Sequence, residues 1–181
     1  MGCSSDGRTL APAGPSQTAS IVTTTTAAPP PVVDGTLFAL SAPWEDGTAL
    51  PEELTCTGAG RPPSLAWSGV PSGVLELALV ATDLDADNRV HWLVAGIDAT
   101  LTASLPGGDL PPGAVATRNS AGTPGYDPPC PPAGETHRYQ FTLHALSGPL
   151  ALTEDVPPEE AVPLIQGASV ATAAVVGTVT G

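Results

Sequence analysis

Positive charge is scarce in this 181-residue chain. Lys and Arg number only 5 against 18 Asp and Glu, which gives a formal net charge of -13 at pH 7. Such a surface repels the phosphate backbone of nucleic acids and the headgroups of anionic lipids. The composition therefore excludes general nucleic-acid binding and electrostatic docking to an anionic membrane, but it leaves room for a locally positive pocket.

Long apolar runs are missing as well, since no segment of the sequence is long enough to span a bilayer. Hydrophobic residues still make up 41% of the chain, and its length suits one domain with a tail. The 20 glycines and 22 prolines follow no collagen-like period. They predict many turns, and turns favour short strands over long helices.

The first 34 residues predict a Thr/Pro-rich tail ahead of a domain over 35–181, because they offer no amphipathic period. Gly2-Cys3-Ser4-Ser5 resembles the cleavage site of a bacterial lipoprotein, in which the cysteine becomes the lipidated first residue. Cys3 is therefore predicted to carry a lipid anchor, and the protein to be a cell-surface lipoprotein or secreted. The alternatives are a chance resemblance and a merely disordered N-terminus.

The remaining pattern predicts a mainly β domain with a C-terminal helix. The run 74–82 is almost continuously apolar, as in a strand covered on both faces, whereas 137–145 alternates as a half-buried strand does. The predicted strands are 36–42, 74–82, 91–97, 137–145 and 173–180, and the predicted helix is 158–172.

Titratable side chains fall at the ends of these strands. Asp83 and Asp85 follow strand 74–82, His91 opens the next strand, and His137 opens another. If strands 74–82 and 91–97 form a hairpin, Asp83 and His91 are neighbours across its mouth. Such groups beside Gly- and Pro-rich loops predict a ligand pocket.

Other interpretations of these residues remain open. The spacing of Asp83, Asp85 and Asp87 opens an EF-hand loop, but Asn88 takes the glycine position and Val94 the closing glutamate position. His91 suits a structural histidine equally well, and two histidines with carboxylates also suit zinc. No G-x-S-x-G elbow is present, so no motif indicates a hydrolase. No metal and no cofactor is predicted.

Seven short motifs occur in an order that resembles the phosphatidylethanolamine-binding protein family, in particular its bacterial branch, which is related to the Raf kinase inhibitor protein. The resemblance extends from residue 36 onward. The motifs are Thr55-Cys-Thr-Gly58, Leu65-Ala-Trp-Ser-Gly69, Asp83-Leu-Asp-Ala86, His91-Trp92, Gly125-Tyr126, Pro129-Cys-Pro-Pro132 and His137-Arg-Tyr139.

The resemblance implies two packed antiparallel sheets with a small anion-binding pocket, and Tyr139 is expected near its rim. The resemblance implies a pocket lined by Asp83, His91, Pro129 to Pro132 and His137. With the other candidates, the predicted ligand-binding residues are Asp83, Asp85, His91, Tyr126, Pro129, Cys130, Pro131, His137 and Tyr139. Cys56 and Cys130 fall in loops that the resemblance places toward the pocket end. A disulfide between them is therefore expected, with two free thiols as the alternative.

Departures from the family pattern put the pocket rim and the choice of ligand in question. Leu84 and Asp87 replace two prolines of the D-P-D-A-P motif, Thr57 replaces an aspartate, and Pro128 replaces a glycine. The turn after Asp83 should be looser as a result.

The expected function is binding of a small anionic or phosphate-bearing ligand. His91 and His137 would donate hydrogen bonds, a turn rich in backbone N–H groups would help, and Asp83 would orient a histidine. The alternatives are a protein-interaction module that inhibits a kinase or protease, and a hydrolase that uses the same pocket. A protein partner or a second copy of the chain stays open.

Overall fold

The computed structural model describes residues 32–33, 36–101, 104–105 and 107–181. This part of the chain is mainly β, and it contains one α-helix, α1 (Pro158–Ala168), and one turn of 3₁₀ helix (Glu52–Leu54). The strands are β1 Val32–Val33, β2 Thr36–Leu37, β3 Ala39–Ser41, β4 Thr48–Ala49, β5 Leu65–Ser68, β6 Glu76–Asp83, β7 Arg89–Asp98, β8 Ser104–Leu105, β9 Val115–Ala116, β10 Thr136–Leu146 and β11 Ser169–Thr180. The predicted mainly β class with a C-terminal helix is confirmed.

A six-stranded sheet with the order β4-β11-β10-β6-β7-β9 forms the centre of the fold. Its pairs are antiparallel except that β4 lies parallel to β11. β10 pairs over most of its length with both β11 and β6, so it is the middle of the sheet. A smaller antiparallel sheet, β3-β5-β8, packs against the large one, as the resemblance implied.

Each face of the large sheet is covered by a different element. Leu65 and Trp67 of β5 belong to one buried cluster with Leu79 and Leu143 of the large sheet. On the opposite face, α1 contributes Ala161 and Ile165 to a second cluster, whose strand residues are Ala78, Val80, Val90, Leu93, Ala95 and Leu146. Covering on both faces explains the continuous apolar run of β6, because such strands carry no exposed polar side.

The helix is shorter than the sequence pattern predicts. The prediction over 158–172 is wrong beyond Ala168, where the chain turns into β11. β11 pairs with β10 from the Leu146–Ser169 pair through to the Thr136–Thr180 pair. Residues 169–172 therefore hydrogen-bond to β10 through their backbone, and a continued helix would break this pairing.

The N-terminal boundary also differs in part. Val32–Val33 lies in the predicted tail but pairs with Thr36–Leu37 as a short antiparallel ribbon. The predicted strand 36–42 is interrupted at the buried Phe38, so it forms β2 and β3. Residues 1–31, including Cys3, lie outside the described residues, and the predictions of a tail and a lipid anchor made for them stay predictions.

Candidate functional site

A cavity of about 360 Å³ lies where β6, β7 and β10 end beside the loop 127–132. Its lining combines carboxylates, histidines, one arginine and prolines. The lining residues are Asp83, Ala86, Arg89, His91, Asp127, Pro128, Cys130, Pro131, Pro132, His137 and Tyr139. Two acids and two candidate bases thus face the same small space.

Strand register brings three of these residues together. Asp83 of β6 pairs directly with Tyr139 of β10, so both side chains lie on the same face of the sheet. His137 shares that face because it lies two residues before Tyr139 on the same strand. Its ring also stacks near Tyr139, with 6.4 Å between the ring centroids.

A β-bulge places His91 on this face as well. Val90 pairs with Thr82 and Trp92 pairs with Ala81, which leaves His91 as the extra residue of β7. The bulge lets His91 and Trp92 lean the same way although they are adjacent. Trp92 enters the main core, and His91 meets the edge of Tyr139 at 5.2 Å between ring centroids. The sequence gives no signal for this bulge.

The loop that closes the cavity is held at several points. Asp127 N–H donates to the carbonyl of His91 (2.8 Å), and Cys56 N–H donates to the carbonyl of Pro129 (3.1 Å). Cys56 and Cys130 form the disulfide that the resemblance led us to expect. This loop offers few backbone donors of its own, because four of the five residues 128–132 are prolines and only Cys130 carries an N–H.

His137 is held between two carboxylates. Its Nδ1 lies 2.7 Å from Asp83 Oδ2, and its Nε2 lies 3.2 Å from Glu135 Oε2. The hydrogen bond to Asp83, and then that to Glu135, raise the pKa of His137 above its usual 6.5. A carboxylate only accepts, so both ring nitrogens donate when His137 is protonated. Asp83 therefore orients a histidine as expected, but its partner is His137.

His91 is in the opposite state. Its Nδ1–H donates to the backbone carbonyl of Asp127 at 2.8 Å, which leaves Nε2 as an acceptor in the neutral ring. Nε2 is buried and has no hydrogen-bond partner in the described part of the chain. Burial lowers the pKa of His91 below 6.5 despite the neighbouring Asp127. The neutral His91 is thus not the donor that the sequence led us to expect.

Arg89 and Asp127 line the cavity, although neither is among the ligand-binding residues predicted from the sequence. Arg89 Nη2 donates to Asp127 Oδ2 at 2.8 Å, and the arginine side chain keeps 40% of its surface exposed. Arg89 is one of only 5 Lys and Arg residues, and it directly follows the turn of the β6–β7 hairpin. The scarcity of positive charge could have marked Arg89 as a candidate binding residue. Ala86 and Pro128 were missed as well.

Asp85 does not line the cavity, so its predicted place there is wrong. It binds the guanidinium of Arg138 with both oxygens, at 2.7 Å and 3.0 Å, and accepts the Arg138 backbone N–H at 2.8 Å. These bonds lower the pKa of Asp85 to about 2. Asp85 therefore ties the hairpin turn to the start of β10, on the side away from His137.

Three other predicted positions need correction. Tyr126 lies outside the cavity lining, packs edge-on against Trp92 and donates its hydroxyl to the carbonyl of Leu54 at 2.9 Å. Pro129 is absent from the lining too and only accepts the bond from Cys56. Tyr139 lines the cavity but is only 2% exposed, so it forms the base and not the rim.

Neither metal interpretation gains support from the geometry. Within the described ranges, no three His, Cys, Asp or Glu side chains are grouped as metal ligands. The EF-like segment forms the turn of the β6–β7 hairpin over residues 84–88, with Asp87 and Asn88 at positive φ. Asp83 Oδ1 accepts the N–H of Asp85 at 2.9 Å, a local turn contact typical of aspartate.

A second cavity, of about 460 Å³, lies on the opposite face of the large sheet beside α1. Its lining contains neither acids nor Arg or Lys, and its only titratable member is His144. The lining residues are Val80, Thr82, Leu84, Asn88, Val90, Gln140, Thr142, His144, Val162 and Gln166. Although it is larger, this cavity offers no charged group to a ligand, so the first cavity is the stronger candidate site.

Known proteins resemble this chain over most of its length. The family model described as "Phosphatidylethanolamine-binding protein" matches residues 40–180. The "Putative lipoprotein LppC" of Mycobacterium tuberculosis is 39% identical over 180 residues, 97% of this chain and 86% of that protein. A UPF0098 protein of Methanothermobacter thermautotrophicus is 38% identical over 140 residues, 74% of this chain and 92% of that protein.

The solved structures agree with the sequence comparison. YbcL of E. coli, which is described as a new member of the mammalian PEBP family, superposes on this chain with a TM-score of 0.74 at 31% identity. The superposition covers 80% of this chain and 98% of YbcL. No helix in the part of the chain that the structure covers combines the length and apolar character needed to cross a membrane.

Proposed function

Because the chain belongs to the phosphatidylethanolamine-binding protein family, in its bacterial branch, we propose that it binds a small ligand through an oxyanion such as phosphate. The observation that carries this proposal is the pairing of Asp83 with His137 at the cavity wall. The hydrogen bond to this buried carboxylate raises the pKa of the imidazole, which favours a positively charged ring at the cavity wall.

The charges around the cavity are consistent with this function. Arg89 and protonated His137 offset Asp83 and Asp127 in the lining, and Glu135 beside His137 adds one further negative charge. Guanidinium and imidazolium N–H groups are strong donors to oxyanions.

Calorimetric titration with sulfate and phosphoethanolamine tests the proposal. Sulfate keeps the same charge across neutral pH, so a pH effect on its binding reports the protein. His137→Ala should weaken binding by about 1–3 kcal/mol, or roughly 5- to 150-fold. Binding by the wild type should weaken as pH rises through the raised pKa of His137, because the ring loses its charge.

His144→Ala is the matched control, because His144 lies on the same strand but lines the other cavity. It should leave sulfate affinity unchanged. If His137→Ala lowers only the free energy of unfolding while sulfate binds as before, His137 is structural and the proposal is wrong.

A hydrolase in the same cavity gains no specific support. Among the residues that the structure describes, none lining the cavity is Ser or Thr, and the one lining cysteine, Cys130, is in the disulfide. Asp83 and His137 are paired as in a set that activates a nucleophile. In the described part of the chain, the one hydroxyl that lines the cavity beside them is the phenol of Tyr139. We therefore propose binding without catalysis.

An inhibitory protein-interaction module is likewise not favoured. Large exposed hydrophobic side chains in the described residues are Leu37, Leu75, Leu101, Leu164 and Val170, and none of them lines the cavity. The apolar rim that would indicate a protein partner at this site is therefore not formed.

We further propose an extracytoplasmic location with a lipid on Cys3. The Cys56–Cys130 disulfide suits an oxidising compartment, and a relative that matches 97% of this chain bears the lipoprotein name. Metabolic labelling of the bacterial gene product with a fatty acid checks this. Labelling that persists in Cys3→Ala would contradict the anchor.

A further inference from the structure

Both ring nitrogens of His137 already have carboxylate partners. Nδ1 lies 2.7 Å from Asp83 Oδ2, and Nε2 lies 3.2 Å from Glu135 Oε2. An oxyanion that binds His137 needs one of these N–H groups. It can obtain one only if a carboxylate leaves, because each N–H points at a single strong acceptor.

Glu135 is the carboxylate that can leave. Its side chain is 60% exposed, against 4% for Asp83. Asp83 also accepts the backbone N–H of Asp85, so its displacement would leave a buried charge without partners. Glu135 would return to water, where an exposed ion pair is lost at little cost. The longer contact, 3.2 Å against 2.7 Å, agrees with this order.

The exchange requires only a side-chain movement. The backbone N–H of Glu135 donates to the carbonyl of Pro132 at 3.0 Å, and its carbonyl accepts from Gly181 N–H at 3.0 Å. These bonds hold the main chain of the turn beside the cavity. The side chain of Glu135 can therefore rotate away while the loop that lines the cavity stays in place.

We propose that Glu135 is an internal competitor, whose carboxylate occupies the oxyanion position on His137 Nε2 and thereby sets the affinity of the cavity for anions. This inference rests on the proposed function. It makes Glu135 a determinant of affinity and specificity although it lies outside the cavity lining. Weakly basic anions should compete poorly with it, and oxyanions of higher charge should compete better.

Sulfate titration of four proteins tests the competition, and a single pH of about 5.5 keeps His137 protonated even in variants that lose the pKa-raising contact with Glu135. Glu135→Gln removes the charge, and Glu135→Asp keeps the charge but is too short by one methylene to hold the same contact. Glu154→Gln is the control, because Glu154 is an exposed acid outside the cavity lining. Sulfate should bind Glu135→Gln roughly two- to fivefold more tightly than wild type, with Glu135→Asp in between. Glu154→Gln should match wild type.

Each other outcome contradicts a definite statement. If wild type and Glu135→Gln bind sulfate equally, the competition is wrong while the proposed function stands. If Glu154→Gln gains as much as Glu135→Gln, or Glu135→Asp gains nothing, the effect is one of overall charge and the competition is again wrong. If no variant binds sulfate or phosphoethanolamine, the proposed function fails, and the inference fails with it.

Discussion

Two histidines on the same strand, β10, differ in almost everything but burial. His137 is 9% exposed and His144 is 8% exposed. His137 faces the first cavity between Asp83 and Glu135, and these carboxylates raise its pKa. His144 faces the second cavity, where its Nδ1 lies 3.2 Å from the hydroxyl of Ser169, its one side-chain hydrogen-bond partner among the residues that the structure describes. There, burial lowers its pKa to about 4.

The difference shows that partners, and not burial alone, decide where this protein keeps a positive charge. A buried imidazole is neutral unless a carboxylate repays its desolvation. The chain has acids in large excess, but only the strand ends near Asp83 bring them to a buried ring. On one face of the sheet, the first cavity has charged side chains and a wall held by the Cys56–Cys130 disulfide. On the other face, the second cavity has no charged lining residue and lies beside the packed helix α1.

The largest expected effect separates cross-linking from packing. Replacing both Cys56 and Cys130 by Ser should lower the free energy of unfolding by about 4 kcal/mol, because the bond closes a loop with a sequence separation of 74. Sulfate affinity should fall as well, since the loop 127–132 loses an anchor. Chemical denaturation and calorimetric titration of the same samples measure both quantities.

Ile165→Ala is the packing control on the other face. Ile165 of α1 is fully buried against the large sheet, so its truncation should cost about 2–5 kcal/mol of stability. Sulfate affinity should nevertheless stay at the wild-type value under conditions where the variant is folded. If the disulfide variant keeps full affinity, or Ile165→Ala loses it, the two faces are not independent in the way proposed.

The second prediction uses opposite pH dependences. Native His144 stays neutral down to about pH 4, whereas the unfolded chain takes up that proton near 6.5. Its contribution to stability is therefore lost as pH falls through this window, by about 3 kcal/mol in full. His137 keeps its proton to a higher pH than the unfolded chain does. Its contribution is complete below 6.5 and is lost as pH rises through its native pKa.

Urea unfolding at a series of pH values, compared between wild type and each single variant, isolates the two contributions. His144→Gln should flatten the loss of stability on the acid side only. His137→Gln should flatten the loss on the alkaline side only. Parallel curves for wild type and His144→Gln between pH 4 and 6.5 would show that burial does not perturb this ring.

The sequence predicts the parts of the site that follow from periodicity. Alternation along 137–145 assigns His137 and Tyr139 to one face, and the apolar run before Asp83 marks a strand end. The bulge at His91 leaves no periodic trace, because it is decided by pairing with β6. The Arg89–Asp127 pair joins residues 38 positions apart through a loop, which no local pattern specifies. The end of α1 at Ala168 is likewise decided by the distant pairing of β11 with β10, so the sequence pattern predicts a helix that is too long.

The smallest expected effect concerns Asp85, which is predicted to bind the ligand because it follows the apolar strand beside Asp83. In the structure its carboxylate binds Arg138 and not the cavity, so Asp85→Asn should leave sulfate affinity within about twofold of wild type, as for other exposed ion pairs. Asp83→Asn, by contrast, removes the charge that holds His137 protonated and should shift the pH dependence of binding to lower pH. Titrations of both variants at pH 6 and pH 8 make the comparison. If Asp85→Asn loses affinity as strongly as Asp83→Asn, the turn after β6 moves toward the ligand on binding, and the separation of the two carboxylates described above is wrong.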